Sequence, residues 1–340
     1  MALLPIQIKN ASLQGSTGII CVISNLIIVY IALKSKKFLT TFTNFTIFQL
    51  AVADLIFGLG AMLRVYNDIW PILRNVDSSI SLEVCTALLT PHTFGYQLRQ
   101  FTVIFIALDR LAAIKWPFAF KNTSHTKKIF VTFGSSLFYA SITIAIGWLT
   151  REPLSSKTRC RIFYVFNFHY LICYIASGVL ITFVTLFFQT WSWYESHKRD
   201  KKTVSKKVLT ITDTQVLQKY VSDYAKVKKT TSYIMLNFVA FWAIPQLVFF
   251  IYLLISQDHE IASEIMAYQN YLNAFHSCLN LIIYLLTYTE IRRLFSKHIL
   301  MKDVESSTTG NQNNHNTTNS RHKGAILHEN TQGNLKTNFV

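Results

Sequence analysis

Seven long apolar stretches dominate the pattern of hydrophobic and polar positions along the chain. They cover roughly residues 16–34, 44–66, 84–114, 128–149, 163–192, 229–256 and 266–288. An α-helix needs about 20 apolar residues to cross the hydrocarbon core of a bilayer, and each stretch is close to or above that length. The pattern therefore predicts an all-α fold in which seven transmembrane helices form a bundle.

Two further segments follow the last predicted span. In residues 289–300 basic and apolar side chains alternate at helical spacing, which is typical of an amphipathic helix lying on a membrane surface. The last part, 301–340, is rich in Asn, Thr, Ser and His and predicts a disordered tail. We thus expect an N-terminal segment at 1–15, a membrane domain at 16–300 and a tail at 301–340.

Basic residues orient the predicted bundle. Most of the 33 Lys and Arg residues lie in the loops after spans 1, 3 and 5 and in the segment after span 7. The positive-inside rule makes these segments cytoplasmic, so the N-terminus lies outside and the C-terminus inside. Asn10 then begins an external Asn-Ala-Ser sequon and is the predicted glycosylation site.

Composition narrows the class of protein. Charged residues make up only 15% of the chain, against about 25% in soluble domains, and the mean hydropathy is +0.30. A formal charge of +16 is also typical of nucleic-acid binding, but topology and contact with anionic membrane lipid explain it better. We find no catalytic or phosphate-binding motif and no Cys/His cluster, so we expect no enzyme, metal or cofactor.

Ionisable side chains inside the predicted spans are the strongest functional signal, because hydrocarbon makes them costly. His92, Arg99 and Arg110 are spaced by 7 and 11 residues in span 3, so they share one helix face that should point into the bundle. Asp54 lies in the middle of span 2. The alternative is that some of these groups extend to the membrane surface, which fits Arg110 better than Asp54 or Arg99.

Several short motifs in these spans resemble those of rhodopsin-like (class A) G-protein-coupled receptors, over about residues 16–300. The Asp109-Arg110-Leu111 sequence resembles the D-R-Y motif, and Asn280-Leu281-Ile282-Ile283-Tyr284 resembles N-P-x-x-Y. The other matching positions are Asn25, Asp54, Pro117 and Pro245. The resemblance implies a receptor that passes the binding of an extracellular ligand to a heterotrimeric G protein.

The chain also departs from the family pattern. Leu281 replaces the span-7 proline, and Trp242 lies three residues before Pro245 where the family usually has two. Ala225 stands where an acidic residue is often found at the base of span 6. Such divergence favours an invertebrate, nematode-type chemosensory receptor.

The resemblance implies a disulfide and a cytoplasmic switch. Cys85 occupies the place of the span-3 cysteine that pairs with one in the second external loop, where Cys160 is the only candidate; the alternative is two free thiols. Arg110 would turn from Asp109 at rest to the G protein in the active state, with Tyr284 steadying that state. The full set of predicted coupling residues is Asp109, Arg110, Pro117, Trp242, Pro245, Asn280 and Tyr284. Because Ala225 removes a second restraint on Arg110, we expect raised basal signalling.

A polar core is implied at mid-membrane. Family members commonly have a small polar residue at the position of Arg99, and their counterpart of Asp54 helps to bind a sodium ion. Here we predict an Asp54–Arg99 ion pair that replaces the cation, because burying either charge alone is costlier. Asn25, His276 and Asn280 complete the expected cluster.

The predicted ligand pocket lies in the outer half of the bundle, between spans 2, 3, 6 and 7. Its candidate residues are Arg64, His92, Tyr96, Gln246, Phe249, Asn270 and Tyr271. His92 stands where amine receptors carry an aspartate, and span 7 has no lysine for a retinal Schiff base. Arg64 and His92 favour an anionic or strongly hydrogen-bonding ligand. The alternative is that both only stabilise the bundle.

The main competing function is a multi-span transporter or a ligand-gated channel. Transporters often contain internal repeats and helices broken at mid-membrane, and we find neither pattern in this sequence. A membrane enzyme is a more distant alternative, because no nucleophile–base pair or metal-ligand set converges.

Overall fold

The computed structural model describes residues 3–35, 38–74, 81–116, 123–151, 162–207, 232–256 and 258–301. Seven long helices and two short ones account for most of these residues. They are α1 (Leu3–Lys34), α2 (Phe42–Arg74), α3 (Leu82–Lys115), α4 (His125–Leu149), α5 (Ile162–Val165), α6 (Phe168–Lys207), α7 (Ser232–Ile255), α8 (His259–Thr287) and α9 (Thr289–His298). The predicted all-α fold with seven long helices is confirmed.

Helix ends differ from the predicted spans because helices continue beyond the apolar stretch. The first helix already begins at Leu3, so most of the predicted N-terminal segment is helical. The helices α2 and α6 extend to Arg74 and Lys207, well past the apolar runs. A hydropathy pattern identifies only the apolar part of a helix. The backbone hydrogen bonds of the same helix continue into the polar residues on either side, so the helix is longer than its apolar stretch. Residues 302–340 lie outside the described residues.

Five of the long helices, α1, α2, α4, α6 and α7, are apolar enough to cross a membrane by composition alone. The other two, α3 and α8, are of similar length but carry more polar side chains. In α3 the side chains of Gln97, Arg99, Gln100 and Thr102 are all buried. Protein rather than lipid therefore surrounds α3, which explains why a helix this polar can stand within a membrane bundle.

Glycines bring α2 and α3 into close contact. A Cβ atom added at Gly60 would lie 2.3 Å from the backbone nitrogen of His92, and one added at Gly95 would lie 2.5 Å from that of Phe57. Small residues are the usual means by which membrane helices approach each other closely. This contact fixes α2 against the face of α3 that carries His92 and Arg99.

A π-helical segment, Val239–Ala243, interrupts α7 just before Pro245. The N–H of Ile244 donates to the carbonyl oxygen of Val239, five residues back, so this turn holds one residue more than an α-helical turn. The turn absorbs the extra residue that the sequence places between Trp242 and Pro245. Trp242 consequently points into the bundle, where it is 2% exposed.

The surface helix α9 follows α8 directly. Its Ile291 and Leu294 are buried against the bundle, while Arg292 and Arg293 are exposed. A hydrogen bond from Asn44 Nδ2 to Glu290 Oε2, 3.2 Å long, ties α9 to α2. The predicted amphipathic helix at 289–300 is thus present.

Candidate functional site

A buried ion pair lies at the centre of the bundle. Arg99 Nε is 3.1 Å from Asp54 Oδ1, and the two side chains are 0% and 1% exposed. The ion pair predicted from the sequence is therefore present, and the alternative in which Arg99 extends to water is wrong. The close packing of α2 on α3 places the two charges at the same depth.

Arg99 also contacts the two helices on the other side of the bundle. Its Nη2 donates a 3.2 Å hydrogen bond to the backbone oxygen of Asn273 in α8. Its guanidinium carbon lies 4.2 Å from the centre of the Trp242 ring and 5.7 Å from that of Phe57. Aromatic faces stabilise a desolvated cation, so Arg99 is held by charge, hydrogen bond and ring contacts at once.

A hydrogen-bonded amide pair lies beside this core. Asn237 Nδ2 donates to Asn280 Oδ1 over 3.0 Å and to the backbone oxygen of His276 over 3.2 Å, which joins α7 to α8. The sequence prediction included His276 and Asn280 but missed Asn237. The sequence signal that could have identified Asn237 is its position as a lone asparagine within the apolar stretch of span 6.

Asn25 does not join the cluster in the way the resemblance implied. Its Nδ2 donates to the backbone oxygen of Cys21, one turn back in α1, over 2.8 Å. The short side chain is satisfied by its own helix, and no described hydrogen bond connects it to Asp54.

Trp242 separates the ion pair from the outer half of the bundle. Its ring stacks on Tyr96, with centroids 5.2 Å apart and the planes 10° from parallel. Its Nε1 donates a 3.2 Å hydrogen bond to Thr182 Oγ1 of α6. Trp242 therefore contacts the ion pair on one side and an outer cavity residue on the other.

The outer cavity lies directly beyond Tyr96. Five residues that the sequence predicted for the ligand pocket line it: His92, Tyr96, Gln246, Phe249 and Asn270. Sequence reasoning missed Tyr174, Ile175, Met266 and Gln269, which also line it. Arg64 and Tyr271 were predicted but are not among the described lining residues, and Arg64 lies close enough to His92 and Tyr174 to interact with them electrostatically. Whether the cavity binds a ligand stays a prediction.

The polar groups of the outer cavity are only partly satisfied. Gln246 Oε1 accepts hydrogen bonds from Tyr96 Oη, over 2.6 Å, and from Gln269 Nε2. By contrast, His92 and Asn270 interact with each other, but neither His92 Nδ1 nor Asn270 Nδ2 makes a well-aligned hydrogen bond within the described ranges. Buried polar groups normally have partners, so these two atoms mark where a ligand could hydrogen-bond.

The described residues that line the outer cavity are all uncharged, and the cation of Arg64 lies near this lining but outside it. They include no Asp, Glu, Lys or Arg. The free volume is about 10 Å³, which is room for a single water molecule. A larger ligand therefore needs side chains such as Gln246 or Met266 to move.

The inner end of α3 differs from the predicted resting contact. Asp109 Oδ2 accepts a 2.9 Å hydrogen bond from Thr43 Oγ1 of α2. Among the residues that the structure describes, no ion pair joins Asp109 to Arg110. Tyr284 is buried nearby in α8, while Pro117 and Ala225 lie outside the described residues.

The predicted extracellular features are only partly visible. Cys85 is buried near the outer end of α3, but Cys160 lies outside the described residues, so their pairing stays a prediction. Asn10 lies within α1 rather than before it, and its glycosylation stays a prediction. In the described part of the chain, no group of three or more His, Cys, Asp or Glu could hold a metal ion.

One comparison with known proteins is informative. Residues 18–299 match the family model described as "Serpentine type 7TM GPCR chemoreceptor Srsx". No protein with a curated description matches the chain. The match begins within α1 and ends just after α9, so it covers nearly the whole helical bundle.

Proposed function

The chain belongs to the Srsx serpentine chemoreceptors, which are seven-transmembrane G-protein-coupled receptors, and from this premise we propose that its outer cavity binds the extracellular ligand. The receptor function and the nematode-type chemosensory family predicted from the sequence are confirmed. The chain is thus a multi-pass membrane protein that couples an external ligand to a G protein, and its family is generally non-enzymatic. No observation favours a transporter or channel.

The ligand class follows from the cavity lining. Asn270 Nδ2 and the adjacent His92 Nδ1 have no well-aligned hydrogen bond, and no Lys or Arg is among the described residues that line the wall. Tyr174 and Phe249 supply the apolar remainder of the lining. Of the two ligand classes that the sequence favoured, the hydrogen-bonding one fits better than the anionic one. We therefore propose a small uncharged molecule with a hydrogen-bond acceptor such as a carbonyl oxygen.

A continuous set of contacts connects this cavity to the core. A ligand that displaces Gln246 breaks the hydrogen bond from Tyr96, and Tyr96 stacks on Trp242. Trp242 covers the guanidinium of Arg99. Ligand binding then shifts the population between two arrangements of this stack.

At the cytoplasmic face, Arg110 is the residue that contacts the heterotrimeric G protein in this proposal. The basic loops favour an N-terminus outside the cell and a C-terminus inside. The proposed location is the plasma membrane, where basic loops lie against anionic lipid.

The experiment is a G-protein activation assay across α-subunit classes with wild-type receptor, Arg110→Ala and Asn270→Leu. A panel of uncharged carbonyl compounds, carboxylates and amines supplies the ligands. We expect activation by members of the first class, loss of activation in Asn270→Leu, and loss of all signalling in Arg110→Ala.

Tyr271→Phe is the matched control, since Tyr271 is the next residue of α8 and does not line the cavity. Activation by amines or carboxylates alone, or an equal loss in Tyr271→Phe and Asn270→Leu, contradicts the proposed site. Full signalling by Arg110→Ala contradicts the proposed coupling residue.

A further inference from the structure

A second cavity, which we call the lateral cavity, lies between α6 and α7. Its free volume is about 130 Å³. Val179 and Thr182 of α6 form one wall, and Val239 and Ala243 of the π-helical segment form the other. Gln246 borders both this cavity and the outer one. One side chain therefore separates the two spaces.

The space exists because small side chains face a widened turn. Ala243 and Val239 sit in the π-helical turn, which holds one residue more than an α-helical turn. On the opposite wall Thr182 folds back, donating a 2.8 Å hydrogen bond to the backbone oxygen of Gly178. The larger described lining residues, Phe183, Leu186, Ile244 and Leu247, border the gap and leave its volume free.

The mouth of the lateral cavity faces lipid. Phe183, Ile244 and Leu247 border it and are 56%, 54% and 39% exposed. They belong to α6 and α7, two of the helices apolar enough to span the bilayer. The medium outside the mouth is therefore hydrocarbon, and a molecule that enters here comes from the bilayer.

The wall chemistry selects an apolar occupant. The described lining contains no ionisable side chain, and the oxygen atoms of its two polar residues, Thr182 and Gln246, already take part in hydrogen bonds. Thr182 Oγ1 accepts from Trp242 Nε1, and Gln246 Oε1 accepts from Tyr96 and Gln269. A polar ligand would lose its hydration here and gain nothing in return. A cavity of about 150 Å³ with apolar walls stays dry in water and binds benzene or xenon, which sets the matching size.

We propose that the lateral cavity is a second binding site, which takes one small uncharged apolar molecule of about the size of benzene from the bilayer. The site is separate from the outer cavity and does not rest on the function proposed for it. Its occupant contacts the π-helical segment and Thr182, the hydrogen-bond acceptor of Trp242. Occupancy therefore stabilises the arrangement in which Trp242 is bonded to α6.

The test is photolabelling of the purified receptor in phosphatidylcholine nanodiscs with an alkyl diazirine no larger than benzene. Labelled residues are located by peptide mass spectrometry. We expect labelling at Val179, Val239 and Ala243 to exceed that at Phe130 and Phe138, which are exposed on α4 and give the lipid-facing baseline. Excess benzene should reduce the labelling of the cavity at least tenfold relative to this baseline.

Two variants fill the cavity from opposite walls, Ala243→Leu and Val179→Phe. Both should lower cavity labelling to the baseline. Gly134→Leu is the control, because a Cβ atom added at Gly134 meets nothing within 4 Å; it should leave cavity labelling unchanged. Size-exclusion profiles identify any variant that fails to fold. If both filling variants fail to fold, the displacement of the probe by benzene in the wild type tests the proposal.

Labelling that is uniform along the lipid-facing helices overturns the proposal, as does labelling that benzene or both filling variants leave unchanged. A lipid acyl chain resident in the cavity would exclude the probe, so baseline labelling in the wild type also overturns it. Since the readout is binding and needs no G protein, its failure would leave the extracellular ligand site untouched.

Discussion

Among single residues, Arg99 contacts three other helices in the polar core described above. It bonds Asp54 on α2 and the backbone of Asn273 on α8, and it packs on Trp242 of α7. A fully buried charge pair of this kind contributes little net stability compared with apolar residues of the same volume. Removing only one partner lowers the stability strongly, because the other charge then stays buried without an opposite charge beside it.

The first prediction is that Arg99→Met lowers the free energy of unfolding by about 3–5 kcal/mol, since it leaves Asp54 unpaired in the core. Asp54→Leu combined with Arg99→Met should be more stable than either single variant. Thermal unfolding in nanodiscs measures both. The control is Arg151→Leu, which breaks a 3.8 Å pair with the exposed Glu83 and should cost less than about 1 kcal/mol. Equal losses for Arg99→Met and Arg151→Leu would show that the buried pair is not special.

The second prediction concerns sodium. In receptors that this chain resembles, the counterpart of Asp54 helps to bind a sodium ion, but here the guanidinium of Arg99 already occupies that side of the carboxylate. Replacing sodium by choline should therefore change basal signalling and ligand affinity by less than about twofold. A G-protein activation assay in both salts measures this. A clear sodium effect on either quantity would mean that the cation displaces Arg99.

Helices and their contacts account for the depth and orientation of these residues. The π-helical segment of α7 lets Trp242 face the ion pair although the sequence has one residue too many before Pro245. The glycines between α2 and α3 set the spacing on the other side of the core. The first feature predicts the effect of deleting one residue, and the second predicts the effect of adding a methyl group.

The third prediction is that deleting Ala243 is tolerated better than deleting Val248. Removing one residue from the π-helical turn restores a regular α-helix, so the residues on both sides keep their faces. Removing Val248 from the regular part of α7 rotates everything beyond it by about 100°. The folded fraction after purification measures the difference. Equal losses for the two deletions would show that the extra residue is not what the π-helical turn absorbs.

The fourth prediction is that Gly60→Ala destabilises the bundle by about 2 kcal/mol or more, because the new methyl group would lie 2.3 Å from the backbone of His92 and must force α2 from α3. Gly134→Ala, where the methyl group meets open space, should be neutral or stabilise by up to about 1 kcal/mol through helix propensity. Thermal unfolding of the two variants distinguishes a contact effect from a general glycine effect. A stable Gly60→Ala would refute the close-packing argument.

For the molecule as a whole, the sequence predicted what depends on local pattern. The length of the apolar stretches predicted the long helices. The free-energy cost of burying a single charge predicted the Asp54–Arg99 ion pair. Arg64, which the sequence placed in the pocket, is not among the described residues that line the outer cavity, and its role in ligand binding stays a prediction. Tyr174, Met266 and Gln269 were missed, since a cavity wall exists only after several helices meet. The sequence contains one signal of the π-helical turn, which is the unusual spacing between Trp242 and Pro245.

The fifth prediction concerns basal signalling by the cytoplasmic end of the receptor. Asp109 accepts a hydrogen bond from Thr43 and forms no ion pair with Arg110 among the described residues, and Ala225 stands in place of the family's second restraint. Basal signalling should therefore be high, and Ala225→Glu should lower it severalfold by restoring an acidic partner. Ala225→Gln has the same shape without the charge and should leave basal signalling near the wild-type value. The measurement is G-protein activation without ligand at equal surface expression; equal basal activity in wild type and Ala225→Glu would show that Arg110 is restrained by other contacts.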